Sequence, residues 1–392
     1  MKYNFDEVIN RYDTCSMKYD SNKTLGAKTT PMWVADMDFK SPPAVCEAVH
    51  KAADFGIFGY SLPDSGYYDA VIGWYKRHFN WVIEKDWIVV TQGVVAALAA
   101  AVEAFTNHND RIMIQRPVYY PFSNVISQNG RIIVNSPLIL ENGEYKIDFE
   151  DMEKKISEQN VKMFFLCSPH NPVGRVWTKE ELIRLTNICV KYNVILVSDE
   201  IHSDFTFGEN VHFPTMTVNE KIKDLLITCT APSKSFNLAG FQTSNIIISN
   251  PALRGRYKNV LTKTSHSLLN CIGIQALKAA YNESDEWLFE LKKYLSGNLE
   301  YFSEYLKKNM KHIHLIKPQG TYLLWVDFRE MEMTPQQLEI FMKKKAKLWL
   351  DGGEMFGTEG NGFERFNIAC PRSVLKTALD NLKNAYDTVF SN

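Results

Sequence analysis

The middle of the chain alternates short β-rich runs with helical patterns, and this alternation limits the possible folds more than any other feature. The β-rich runs are residues 87–91, 162–166, 194–198 and 225–230. Between two of them, residues 178–192 read as a helix. Thr178 is placed as its N-cap, with Glu181 three residues on, the spacing of a capping box. Strand–helix–strand alternation predicts an α/β fold with a mainly parallel sheet covered by helices on both faces. The last third reads differently. Residues 284–308 form one long helical pattern. Strands are expected at 314–317 and 321–328, on either side of the turn Pro318-Gln319-Gly320. A helix at 335–346, a strand at 363–368 and a closing amphipathic helix at 373–390 complete a smaller α+β domain. The expected division is an N-terminal segment 1–47 that joins the small domain, a large domain 48–285 and a small domain 286–392.

Composition removes several function classes. The chain has 392 residues, 45% of them apolar, which is enough for a large core. Its formal net charge is −1, so no global field points to nucleic acid or an anionic membrane. Lys343, Lys344 and Lys345 read as a solvated helix face. The 7 cysteines include no CxxC pair, which argues against a disulfide framework or a structural zinc site and for a reducing cytoplasm. No metal is expected. The N-terminus has no apolar signal core, and the longest apolar stretch, residues 94–102, is too short to cross a membrane.

Six local patterns carry chemistry, and each also has an ordinary reading. Lys234, in Ala231-Pro232-Ser233-Lys234-Ser235, follows an apolar strand. A desolvated lysine becomes a nucleophilic amine able to form a Schiff base, whereas an isolated loop lysine is usually solvated. Asp199 ends the run 194–199, where a carboxylate needs a cation or a hydrogen bond; it also suits a simple turn. Asn171 precedes Pro172 and stops a strand, as any Asn-Pro turn would. Thr91-Gln92-Gly93-Val94 leads from a strand into an Ala-rich helix, whose N-terminus suits a phosphate or is just a connection. Tyr119 and Tyr120, flanked by prolines, offer a stacking face and a hydroxyl or plain loop packing. Arg365 can grip a carboxylate in bidentate fashion or form a surface ion pair. No GxGxxG follows a strand. The glycines 357, 360 and 362 read as a turn, so a dinucleotide site is not expected.

The order and spacing of the six patterns resemble fold-type I enzymes dependent on pyridoxal 5′-phosphate (PLP), the aspartate aminotransferase-like class I/II family. The resemblance spans essentially the whole chain. It implies a large domain with a mainly parallel seven-stranded sheet, PLP as cofactor and a homodimer with shared active sites. By resemblance, Lys234 is the Schiff-base lysine, Asp199 holds the pyridinium proton, Asn171 bonds the phenolic oxygen and Tyr119 stacks on the ring. Gly93 and Val94 give backbone N–H groups to the phosphate, Thr230 and Ser233 are hydroxyl candidates, and Tyr60 reaches the partner subunit's phosphate. Arg365 binds the substrate carboxylate, with Tyr120 and Asp36 as further substrate contacts.

Three stretches resemble the MalY/PatB-type C–S lyases (cystathionine β-lyases) more closely: Met32-Trp33-Val34-Ala35-Asp36-Met37-Asp38-Phe39, Asp199-Glu200-Ile201-His202 and Phe366-Asn367-Ile368-Ala369-Cys370-Pro371-Arg372. His202, counted with the cofactor-binding residues, stands where ordinary aspartate aminotransferases carry Tyr. Gln242 stands where they carry a phosphate-clamping Arg, which puts that clamp in doubt. The resemblance implies β-elimination from cystathionine, cystine or related S-substituted cysteines, giving thiol, pyruvate and ammonia in the cytoplasm. An aminotransferase is the alternative. A regulatory protein built on a PLP fold is a third reading, and its direct DNA binding is not expected because the PLP-like signatures begin near Met32.

Overall fold

The computed structural model describes residues 2–21, 29–264 and 268–390. The large sheet contains β1 (Ile88–Thr91), β2 (Arg111–Ile114), β3 (Ile132–Asn135), β4 (Val161–Cys167), β5 (Ile195–Asp199), β6 (Leu226–Thr230) and β7 (Ser244–Ile247). Their spatial order is β1-β7-β6-β5-β4-β2-β3. The run from β6 to β3 is parallel, and β7 lies antiparallel between β1 and β6. The central strands are mostly apolar and nearly all buried because both of their faces are covered. Phe165, Val197 and Ile227 pack with Ala97, Leu98 and Ala101 of helix α1 (Val94–Phe105). Their neighbours Phe164, Leu196 and Leu226 point the other way, onto Leu182 and Leu185 of α2 (Lys179–Lys191). The period-two alternation of strand side chains thus builds two cores from one sheet. Thr178 and Glu181 form the expected capping box at the start of α2.

Beyond Glu283 the chain enters α3 (Asp285–Asn309) and a four-stranded antiparallel sheet. This sheet comprises β8 (His314–Leu315), β9 (Leu323–Asp327), β10 (Asp351–Gly352) and β11 (Phe363–Asn367), in the order β8-β9-β11-β10. The closing helix α4 spans Arg372–Phe390. Thr30–Pro31 pairs in parallel with Leu348–Trp349, and Trp33 stacks on Trp349 with centroids 5.1 Å apart.

Two expectations needed adjustment. The strand expected at 314–317 ends at Leu315, because the Lys317 N–H turns away to Gly143 O at 3.4 Å. The helix expected at 335–346 is α-helical only over Pro335–Ile340. A wider turn follows over Phe341–Lys345, where Ala346 N–H reaches back to Phe341 O at 2.9 Å.

Candidate active site

A cavity of about 320 Å³ opens where the carboxyl ends of β1, β2, β4, β5 and β6 meet, the usual ligand position in an open α/β sheet. Among its lining residues are Gly93, Val94, Tyr119, Asn171, Asp199, His202, Ser233 and Lys234. They come from five separate segments, gathered because each segment ends a strand of the same sheet.

Asp199 is 3% exposed, and its Oδ1 accepts a hydrogen bond from Ile201 N–H at 3.2 Å. Burial pushes its pKa up to about 7; that N–H and the charge on Lys234 oppose the shift only in part. Lys234 sits in the single turn Pro232–Ser235 after β6, and its Nζ donates to Ala35 O at 2.7 Å. Burial, followed by the nearby Arg365 charge, brings its pKa down to about 8, against the pull of Asp36 and Asp199. The acid and the base of this cavity are thus both driven toward neutrality.

Gly93 lines the cavity as the N-cap of α1, at φ +90°. That φ favours glycine, and a Cβ there would also press on Gln242 Oε1, 2.9 Å away. The first-turn N–H groups of α1, at residues that line the cavity, have no helical acceptor. His202 is buried, and its Nδ1 has no hydrogen-bond partner. Burial, then the charges of Lys234 and Arg365, lowers its pKa, so the ring is neutral.

Arg365 comes from β11 of the small sheet, directly opposite Asp351 in the β10–β11 register. It is 2% exposed and ion-paired with Asp351. Its Nη2 donates to Trp33 O at 2.7 Å and its Nη1 to Asn171 Oδ1 at 3.0 Å, while Nε is buried without a partner. Because Asn171 Oδ1 accepts from Arg365, the side-chain amide has its Nδ2 free to donate.

Other residues singled out in the sequence lie elsewhere. Thr230 is buried and does not line the cavity; its hydroxyl donates to Asn245 O at 2.9 Å, which ties β6 to β7. The Asp36 carboxylate is held by Arg11 at 2.6 Å and Lys18 at 3.5 Å, so it is not free for a substrate. Tyr120 sets its ring edge against Phe356, centroids 6.0 Å apart, beside the cavity lining. Tyr60 is 100% exposed, in a separate surface hollow with Leu268 and Cys271.

Sequence reasoning missed Ala35, Cys167, Tyr322 and Asp351. Cys167 stands opposite Asp199 in the β4–β5 register and could have been found by aligning the strand ends. Ala35 acts through its carbonyl, for which a side chain gives no signal. Asp351 becomes visible only once β10 is paired with β11.

The chain belongs to the aminotransferase class I and II family, which matches residues 32–382. Its architecture is that of fold type I of the PLP-dependent enzymes. It is similar to the cystathionine beta-lyase PatB of Bacillus subtilis, 40% identical over 97% of this chain and 99% of that protein. The crystal structure of cystalysin from Treponema denticola, which contains PLP, has 38% identity and a TM-score of 0.96 over 99% of this chain and 100% of that one. A PLP-bound protein of Clostridium difficile 630, provisionally described as an aminotransferase, has 40% identity and a TM-score of 0.96 over 98% and 100%.

Proposed function

We propose that this chain binds PLP and eliminates a thiol from cystathionine or a related S-substituted cysteine, consuming water and giving pyruvate and ammonia. The observation that carries the reading is the joint placement of Asp199 and Lys234 on one cavity, with acid and base both displaced toward neutral pH. Similarity to the cystathionine beta-lyase PatB favours elimination over other PLP chemistry.

The residues fit the cofactor on three grounds. Asp199 is a buried carboxylate with a single backbone donor, and a protonated ring nitrogen supplies the missing cation. The bare helix N-terminus behind Gly93 suits a phosphate. There Ser233 adds a hydroxyl, and Gln242 stands as an uncharged amide. The lowered pKa of Lys234 makes a usable fraction of neutral amine near pH 7.

When bound, PLP supplies an aldehyde for the substrate amine and a ring that takes up the electron pair released at Cα. Lys234 would hold the cofactor, and its amine would remove the substrate's Cα proton. Asp199 keeps the ring-nitrogen proton in place. Asn171 donates from Nδ2 to the phenolic oxygen, and Tyr119 flanks the ring. Arg365 takes the substrate carboxylate on Nε, the nitrogen that no other group occupies. Neutral His202 adds a polar wall without adding charge. The C–S bond electrons leave with the thiolate.

We also infer a homodimer. Phe55, Ile57, Phe58, Tyr60 and Leu62 are each more than 60% exposed, an apolar stretch of the kind that marks an interface. In this reading a second copy covers it, and Tyr60 reaches that copy's phosphate. Residues 48–285 are assigned to a large domain and 286–392 to a small one, with 1–47 attached to the latter. No helix among the described residues is long and apolar enough to cross a membrane, and the free cysteines suit the cytoplasm.

The test uses purified protein with PLP and L-cystathionine and no keto acid. Equimolar pyruvate, ammonia and thiol are expected. Amino transfer to an added keto acid, without thiol release, would instead identify an aminotransferase, the reading that the family and the Clostridium relative keep open.

A further inference from the structure

Lys18 is one of the largest fully buried side chains in the molecule, with 1% of its surface exposed. A buried ammonium needs partners, and these partners show what it does. Its Nζ lies 3.0 Å from Asp38 Oδ2 and 3.5 Å from Asp36 Oδ1. Arg11 closes the ring, with Nη2 2.6 Å from Asp36 Oδ2 and Nη1 2.7 Å from Asp38 Oδ1. Two cations and two carboxylates neutralise one another behind a short strap, residues 33–38.

The other edge of the strap meets the active site. Trp33 O accepts from Arg365 Nη2 at 2.7 Å. Ala35 O accepts from Lys234 Nζ at 2.7 Å and from Tyr322 OH at 3.1 Å. Val34 O and Asp36 O both accept from Asn367 Nδ2, at 2.7 and 2.6 Å. A strap carbonyl thus holds Lys234, and another holds Arg365 together with Asp351 and Asn171.

We propose that Lys18 and Arg11 are positioning residues: their ion-pair ring fixes the strap, and the strap's carbonyls orient Lys234 and Arg365. The substrate half of the test rests on the cofactor reading above; the lysine half does not.

The groups facing Lys234 are Arg365 from β11, Asp199 and His202 from the end of β5, Asp36 from the strap, and Tyr322 ahead of β9. Burial is the largest cause of its lowered pKa, ahead of Arg365, with Asp36 and Asp199 opposing. Loosening the strap removes some of the pull of Asp36 but readmits water to the amine. The larger effect wins, so the Lys234 pKa rises from about 8 toward its ordinary value.

The experiment is competitive labelling of the cofactor-free protein with an amine-acylating reagent across pH, with Lys234 read by peptide mass spectrometry. Lys18→Met and Arg11→Gln are compared with wild type. Glu7→Gln, which removes the exposed Lys40–Glu7 pair on the same N-terminal segment, is the control. Lys18→Met should raise the labelling midpoint of Lys234 by about one pH unit, and Arg11→Gln by roughly half that. In the PLP-loaded enzyme both should raise KM for L-cystathionine about 5- to 10-fold, with a smaller effect on kcat. Glu7→Gln should match wild type in both. Arg11 lies nearer the surface than Lys18, so its variant keeps the test open if Lys18→Met fails to fold. A folded Arg11→Gln with the wild-type midpoint overturns the proposal. If wild type eliminates nothing, the cofactor reading fails, and the labelling midpoint still decides the strap.

Discussion

The two sheets treat their charges differently: the large sheet sets Asp199 and Lys234 in the cavity lining, and the small sheet brings Arg365 up behind it, against the lining residue Asn171. At the strand ends of the large sheet, polar groups are left short of partners. Asp199 has a single backbone donor, and Lys234 donates to a single carbonyl. Their pKa values move to about 7 and about 8. On the small sheet, Arg365 is held by Asp351, Asn171 and Trp33 O, and Nε is its one nitrogen without a partner. Charges short of partners are reactive, and a charge held on several sides is an oriented grip. In the proposed reading the large sheet carries the proton chemistry and the small sheet the substrate's position.

This contrast can be broken in four places, in descending order of effect. Lys234→Ala should remove the visible absorbance of the bound cofactor. It should also lower elimination beyond the roughly 10⁴-fold upper range for losing one proton-transfer group; a wild-type spectrum would break the assignment. Asp199→Asn keeps shape but not charge, and kcat should fall by about 10²–10⁴-fold.

The same variant tests burial directly. In the folded chain Asp199 protonates near pH 7, against an ordinary 3.8, so the folded state binds the extra proton between those values. The stability this adds is complete below pH 3.8 and is lost as pH rises to about 7. Denaturant midpoints of the cofactor-free protein should show that decline, and it should flatten in Asp199→Asn.

Arg365→Ala should lower kcat/KM by roughly 10- to 150-fold, mainly through KM, as expected for a charged hydrogen bond of about 1.5–3 kcal/mol. Asp351→Asn should cost only about tenfold in kcat/KM through lost orientation. Its stability, however, should fall by about 3–5 kcal/mol, because an unpaired guanidinium stays buried. If Asp351→Asn were as stable as wild type, the description of Arg365 as a firmly held grip would fail.

What could be read in the sequence follows from how local each signal is. Asp199, Lys234 and Gly93 were legible because each ends an apolar strand run, where a charge or a glycine stands out. The capping box at Thr178 spans only three residues and was equally clear. The Arg365–Asp351 pair depends on strand register across 14 residues, and the ring of Arg11, Lys18, Asp36 and Asp38 on contacts between residues far apart in the chain. No periodicity encodes such pairings. Asp36 therefore read as a substrate contact, although its charge is already neutralised. Thr230 was a phosphate-hydroxyl candidate by family resemblance alone, and its hydroxyl goes to β7.

The most direct test of the account is borohydride reduction of the PLP-loaded protein followed by peptide mass spectrometry. The account expects one stable cofactor adduct, on Lys234 in the peptide that follows β6. An adduct on any other lysine, with Lys234 unmodified, would contradict it.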